Sequence, residues 1–142
     1  SDTDGRILFR MIEDYVKGHQ KAKSFTSLGQ LRYLSCIKYV DGVIGNSSSG
    51  LAEVPSFKKG TINIGDRQKG RLQAESVIDC EANKKSISSA IQKLYSAEFQ
   101  AKLKTVKNPY GSGGASTAIL KILESVSLDG ILKKEFYNIN LT

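Results

Sequence analysis

The strongest constraint on this chain is a junction at residues 42 to 53. The apolar run Gly42-Val43-Ile44 predicts a short strand, and Gly45-Asn46-Ser47-Ser48-Ser49-Gly50-Leu51-Ala52-Glu53 leads it into a helix expected to start near Ser48 or Ser49. A strand that feeds a helix through small hydroxyl residues presents unpaired backbone N–H groups and the positive end of the helix dipole to one spot, which favours an anion. Ser47 and Ser48 add hydroxyl donors. Glu53, expected about one turn into the helix, repels phosphate but can accept two hydrogen bonds from a ribose diol. Phosphate donors followed closely by a diol acceptor point to a nucleotide. The same residues also serve an ordinary helix cap or turn, and Asn46 can act simply as an Asx-type brace of the loop, so the string alone leaves both readings open.

A second junction follows. Thr61-Ile62-Asn63-Ile64 reads as another apolar strand, and Gly65-Asp66-Arg67-Gln68-Lys69-Gly70-Arg71 as the basic, glycine-bearing loop after it. Successive strands of a parallel α/β sheet deliver their C-terminal loops to one edge, so Ser47, Ser48, Glu53 and Arg67 are expected to share a crevice. Arg67 and Arg71 carry planar forks suited to phosphate, whereas Lys69 is a point charge. The rest of the pattern alternates in the same way. Ile7, Leu8, Met11, Ile12, Tyr15 and Val16 make one helical face over residues 5–17, ending at Gly18. A weak strand is expected at 21–26, a helix around Leu31, Leu34 and Ile37, a strand at 42–45, a short helix at 49–54 stopped by Pro55, and strands at 61–64 and 77–80. Helices are expected over 84–103, with a break near Ser96, and over 115–126; a further short one is expected at 131–136. Short apolar strands between helices predict a Rossmann-like α/β fold with a parallel sheet flanked by helices.

These motifs carry a resemblance. Val43 to Gly50, then Glu53, Pro55-Ser56-Phe57 and Thr61 to Arg71, together with Ser27 to Leu34 and Asn108-Pro109-Tyr110-Gly111-Ser112-Gly113, are similar to the C-terminal half of UDP-N-acetylglucosamine 2-epimerases, closest to the hydrolysing type that opens sialic-acid synthesis. Non-hydrolysing relatives typically carry Asp-Ser-Gly-Gly where this chain has Asn46 to Ser49, and Thr-Glu-Arg-Pro where it has the Arg67 loop. Lys58-Lys59-Gly60 replaces a common Gly-x-Pro, and Ser112 and Gly114 replace a common Asp and Asn, which leaves the role of that last loop open. The resemblance implies the second Rossmann-like half of a two-domain fold of the GT-B glycosyltransferase kind, with UDP held by Asn46, Ser47, Ser48, Glu53 and Arg67. It also implies Tyr33 close to the uracil; packing into the core is the competing reading of that ring. The implied reaction converts UDP-N-acetylglucosamine to N-acetylmannosamine and UDP through a glycal-like intermediate. Family acids and bases lie mainly in the other half, so no catalytic residue is expected in this chain beyond Arg67 as a stabiliser of the leaving diphosphate.

At 142 residues the chain is long enough for one domain with a real core, and a single UDP-binding domain over 1–142 is expected. It begins at Ser1 with no targeting segment, which fits a fragment whose partner is the N-terminal half of the same enzyme. No stretch approaches membrane-spanning length, so a cytoplasmic protein with no membrane partner is expected, and a homo-oligomer when full length. The net charge of +7 comes from 21 Lys and Arg against 14 Asp and Glu, scattered as pairs such as Lys58-Lys59 and Lys84-Lys85 without interleaved aromatics, which argues against nucleic acid. Cys36 and Cys80 with the single His19 make no metal site, no cofactor is expected, and both thiols read as buried and free. The glycine loop at 111–114 opens a helix without the lysine of a mononucleotide P-loop and is expected to act as a hinge. A non-hydrolysing epimerase, a glycosyltransferase half and a non-catalytic nucleotide-binding module remain as alternatives.

Overall fold

A computed structural model describes residues 5–133, and the chain divides into two compact units, Ser1–Pro109 and Tyr110–Thr142. The first unit opens with α1 (Gly5–Gly18), none of whose residues is buried within it. His19 follows directly; its Nδ1 lies 2.7 Å from the Tyr15 carbonyl and its ring stacks on that of Tyr15. The strand expected at 21–26 is not formed. That segment is a turn followed by irregular chain, and only Ala22 in it is partly shielded, so it has too little apolar surface to hold a place on a sheet. Then come α2 (Gly29–Tyr39), β1 (Gly42–Gly45) and α3 (Ser49–Ala52). Pro55 does not stop a helix as expected but sits at the start of a 3-10 turn, Val54–Phe57, where its missing N–H is harmless.

Next are β2 (Gly60–Ile64), β3 (Val77–Cys80), α4 (Lys84–Leu94) and α5 (Ala97–Thr105). The expected break at Ser96 is real. Ser96 caps α5 by accepting from the Phe99 N–H at 3.2 Å, and Asn83 caps α4 by accepting from the Ser86 N–H at 2.9 Å.

The three strands pair in parallel in the order β1-β2-β3, with Ile44 beside Ile62 and Ile62 beside Ile78. Side chains alternate across a strand, so Ile62, Ile64, Ile78 and Cys80 fall on one face, while Thr61 and Asn63 fall on the other. The first face packs on Ala90 and Leu94 of α4 and on Phe99 and Leu103 of α5. Gly60 permits this: a Cβ there would lie 2.3 Å from Leu94 Cδ1 and 2.9 Å from Phe99 Cε1. On the opposite face the Thr61 hydroxyl donates to the Gly50 carbonyl at 2.7 Å and seats α3 on β2. The unit is therefore an α/β fold of Rossmann-like character, a parallel sheet flanked by helices.

The second unit holds α6 (Ala115–Ser125), entered from Gly114 at a φ of 84° with no side-chain cap. Its Ile119, Leu120, Ile122 and Leu123 are all exposed. The helix expected at 131–136 falls largely outside the described residues; Ile131 to Lys133 form a turn. Among the described residues no helix is long and apolar enough to cross a membrane.

Candidate functional site

The C-terminal end of β1 delivers Asn46, Ser47 and Ser48 to the loop before α3. Gly50 and Leu51 donate their N–H groups back to the Ser47 and Ser48 carbonyls at 3.1 and 3.0 Å, and the Ser47 hydroxyl takes the Ser49 N–H at 3.4 Å. The backbone N–H groups of Ser47 and Ser48 take no partner among the described residues, and both residues are exposed. α3 is a single turn, so its dipole is weaker than that of the longer helix the sequence suggested, and more of any anion binding falls on these N–H groups and on side chains. Gly50 is required by close approach: a Cβ there would stand 2.6 Å from Thr61 Cγ2.

Glu53 lies at the C-terminal end of α3 rather than inside it, its N–H bonded to the Ser49 carbonyl at 2.9 Å. Its carboxylate accepts a close hydrogen bond from the Ser49 hydroxyl. Because that hydroxyl has one proton, the Tyr33 hydroxyl, 2.7 Å from Ser49 Oγ, is the donor of the other link. Tyr33, Ser49 and Glu53 thus form a directed chain from α2 to α3, and one carboxylate oxygen of Glu53 remains for a further donor. The Tyr33 ring also borders an open cleft of about 510 Å³ lined by Phe25, Ser27, Leu28, Gly29 and Gln30. Asn108 holds the far side of the turn, donating to the Ala52 carbonyl at 2.8 Å and to Ser56 Oγ at 2.7 Å.

From the end of β2 the Arg67 guanidinium reaches within 3.5 Å of both the carbonyl and the side-chain oxygen of Asn46. Gln68 is buried and donates from Nε2 to the same Asn46 carbonyl at 2.8 Å. The two strand-end loops are therefore joined, and Arg67 is brought to the residue next to Ser47. Lys69 and Arg71 are not: they line a separate cleft of about 440 Å³ with Asn63, Asp66, Gln73 and Asp79. Gln68, Ser49 and Asn108 were not singled out from the sequence. Nothing in their residue types marks them, since each acts through a contact that only the fold creates.

Cys36 is exposed, against the expectation of a buried thiol, because Ile37 is the residue of α2 turned fully inward. Cys80 is partly buried, and that burial, reinforced by Asp79, raises its thiol above the usual range. Among the described residues no three His, Cys, Asp or Glu side chains gather as a metal site.

The model of the UDP-N-acetylglucosamine 2-epimerase family matches residues 1–124, which include every residue of this cluster. The chain belongs to that family. It is 45% identical over 141 residues to a GDP/UDP-N,N'-diacetylbacillosamine 2-epimerase (hydrolyzing) of Campylobacter jejuni, covering 98% of this chain and 36% of that protein. It is 39% identical over 140 residues to the polysialic acid biosynthesis protein P7 of Escherichia coli, again 98% of this chain and 36% of the relative. A UDP-N,N'-diacetylbacillosamine 2-epimerase (hydrolyzing) of Legionella pneumophila is 29% identical, over 90% of this chain and 33% of that protein. The chain thus spans about a third of the length of these relatives.

Proposed function

We propose that this chain is the UDP-binding portion of a hydrolysing UDP-sugar 2-epimerase. The observation that carries the reading is the joining of the β1 and β2 loops through Asn46, which brings Arg67 to the residue that precedes Ser47 and Ser48. In this reading the diphosphate lies on Ser47, Ser48 and Arg67, the ribose diol donates to the remaining oxygen of Glu53, and the base lies against Tyr33 in the cleft that includes Phe25. Charge grows on the diphosphate as the bond to the sugar breaks, so Arg67 and the loop N–H groups lower the barrier to departure more than they favour substrate binding.

The substrate we assign is UDP-N-acetylglucosamine, released as N-acetylmannosamine and UDP. A second reading is favoured by the 45% identical relative named for N,N'-diacetylbacillosamine: the nucleotide of that diacetamido sugar. Proton abstraction and return at the sugar need acid and base groups within hydrogen-bond reach of it, and beside Ser47 and Arg67 the described residues offer no carboxylate pair for this work. The 142-residue chain alone is therefore expected to bind UDP weakly and to turn over neither substrate. The longer enzyme containing it should be incubated with each nucleotide sugar, with free UDP and the released 2-epimer measured. Free UDP with N-acetylmannosamine supports the first reading, and release only from the diacetamido nucleotide supports the second. A nucleotide-bound epimer without free UDP would overturn the hydrolysing assignment.

A further inference from the structure

Gln68 is 3% exposed, yet its side-chain amide donates to a backbone atom of another loop, the Asn46 carbonyl at 2.8 Å. Its Oε1 is buried without a partner. Burying an amide and leaving its acceptor unpaired is costly, so the Nε2 bond must secure something beyond packing, for which Leu or Met would serve better. The peptide unit between Asn46 and Ser47 is planar and trans, so its carbonyl and N–H point in opposite directions. An Asn46 carbonyl fixed toward Gln68 therefore fixes the Ser47 N–H on the opposite side of that peptide, and it and the Ser48 N–H have no partner among the described residues. The neighbouring Arg67 guanidinium approaches the same carbonyl at 3.5 Å, so one oxygen references both the loop and the arginine.

We infer that Gln68 is the positioning residue of the diphosphate site: by holding the Asn46 carbonyl it presets the Ser47 N–H and the Arg67 fork for a nucleoside diphosphate. This rests on the UDP-binding reading above. Gln68 touches no ligand itself. Its loss removes the preset orientation, so anion binding then has to order the loop. A rival role, filling space beneath the loop, predicts general loosening that spreads to the nucleoside side of the site.

The 142-residue chain, its fold checked by the dispersion of its amide resonances, should be titrated with UDP, inorganic pyrophosphate and uridine as the unsubstituted protein, as Gln68→Met and as Gln68→Glu. For Gln68→Met, weakening of UDP and pyrophosphate by a shared factor of about three to ten is expected, the size of one neutral hydrogen bond, with uridine unchanged and the Ser47 amide resonance displaced before ligand is added. Gln68→Glu at neutral pH should weaken both anions further, because a carboxylate faces a carbonyl oxygen. If Gln68→Met fails to fold, Gln68→Asn gives a second arm: its amide is one methylene short of the Asn46 carbonyl, so UDP and pyrophosphate should weaken together with uridine unchanged. Equal loss of uridine and pyrophosphate in Gln68→Met, or an unmoved Ser47 resonance, overturns the positioning role. If pyrophosphate fails to bind the unsubstituted chain, or Arg67→Ala leaves its binding intact, it is the underlying diphosphate assignment that fails instead.

Discussion

Two loops in this chain look alike in sequence, each a run of small residues opening a helix, and the fold treats them differently. Asn46 to Gly50 enters α3 with Gln68 and Arg67 on its carbonyl, Tyr33 and Glu53 on its Ser49, and Gly50 seated on Thr61. Gly111 to Gly114 enters α6 through three glycines at positive φ, and the helix has no side-chain cap. The first loop is held in one conformation by neighbours from α2 and β2, while the second is shaped mainly by glycine's freedom. A helix opening becomes a binding element when surrounding groups fix its donors, since ordering them at the moment of binding subtracts from affinity.

The largest expected break between the loops is catalytic. In the longer enzyme, Arg67→Ala should lower kcat by about 10²-fold, with a smaller change in KM, as expected for a donor that acts mostly in the transition state. Ser112→Ala should change neither. A loss confined to KM for Arg67→Ala would remove the leaving-group role and keep only binding.

Glu53→Gln comes next. It should cost UDP about 1.5–3 kcal/mol, the range for a hydrogen bond to a charged group, while pyrophosphate binds as before or slightly better. Calorimetry with both ligands decides it, and an unaltered UDP affinity would reduce Glu53 to the acceptor that steadies Ser49. Gly50→Ala should destabilise the fold by about 1–3 kcal/mol through overpacking against Thr61 and abolish UDP binding. Gly113→Ala, where no atom crowds the added carbon but φ is 95°, should cost about 1 kcal/mol and leave UDP untouched. Urea denaturation of both variants separates a crowded turn from a merely strained one.

Much of this contrast was legible in the residues. Short apolar runs and the helical spacings placed β1, β2, β3, α1, α2 and α6, because burial and local hydrogen bonding act within a few residues. The 21–26 strand was misplaced because a strand is made by its partner, which sequence spacing does not supply. Ser47, Ser48, Glu53 and Arg67 were expected at one crevice, and the contacts of Arg67 with Asn46 join the two strand-end loops. Glu53 was expected inside a helix and lies at the end of a one-turn one. Gln68, Asn108 and the order of the Tyr33–Ser49–Glu53 chain depend on distances between residues 16 to 56 positions apart, or on which hydroxyl holds the proton, and no local pattern encodes either.

The smallest effect lies at the opposite end of β1. Tyr95 donates to Asp41 at 3.2 Å, and this bond to a carboxylate holds its phenol above the usual range. A raised folded-state value means the stabilisation is present below the ordinary tyrosine range of about 10 and is lost as pH rises through the folded value. Tyr95→Phe should therefore melt slightly below the unsubstituted chain at pH 7, with the gap closing in strong alkali. UDP affinity should not change, since this end of the strand is remote from its loop.

The most direct test of the central claim is a titration of the isotope-labelled 142-residue chain with UDP, followed through its backbone amides. Saturable shifts are expected at Ser47, Ser48, Glu53, Arg67 and Tyr33 with Gly111 to Gly114 unmoved. Shifts centred on Gly111 to Gly114, or no shifts at millimolar UDP in a folded sample, would contradict it.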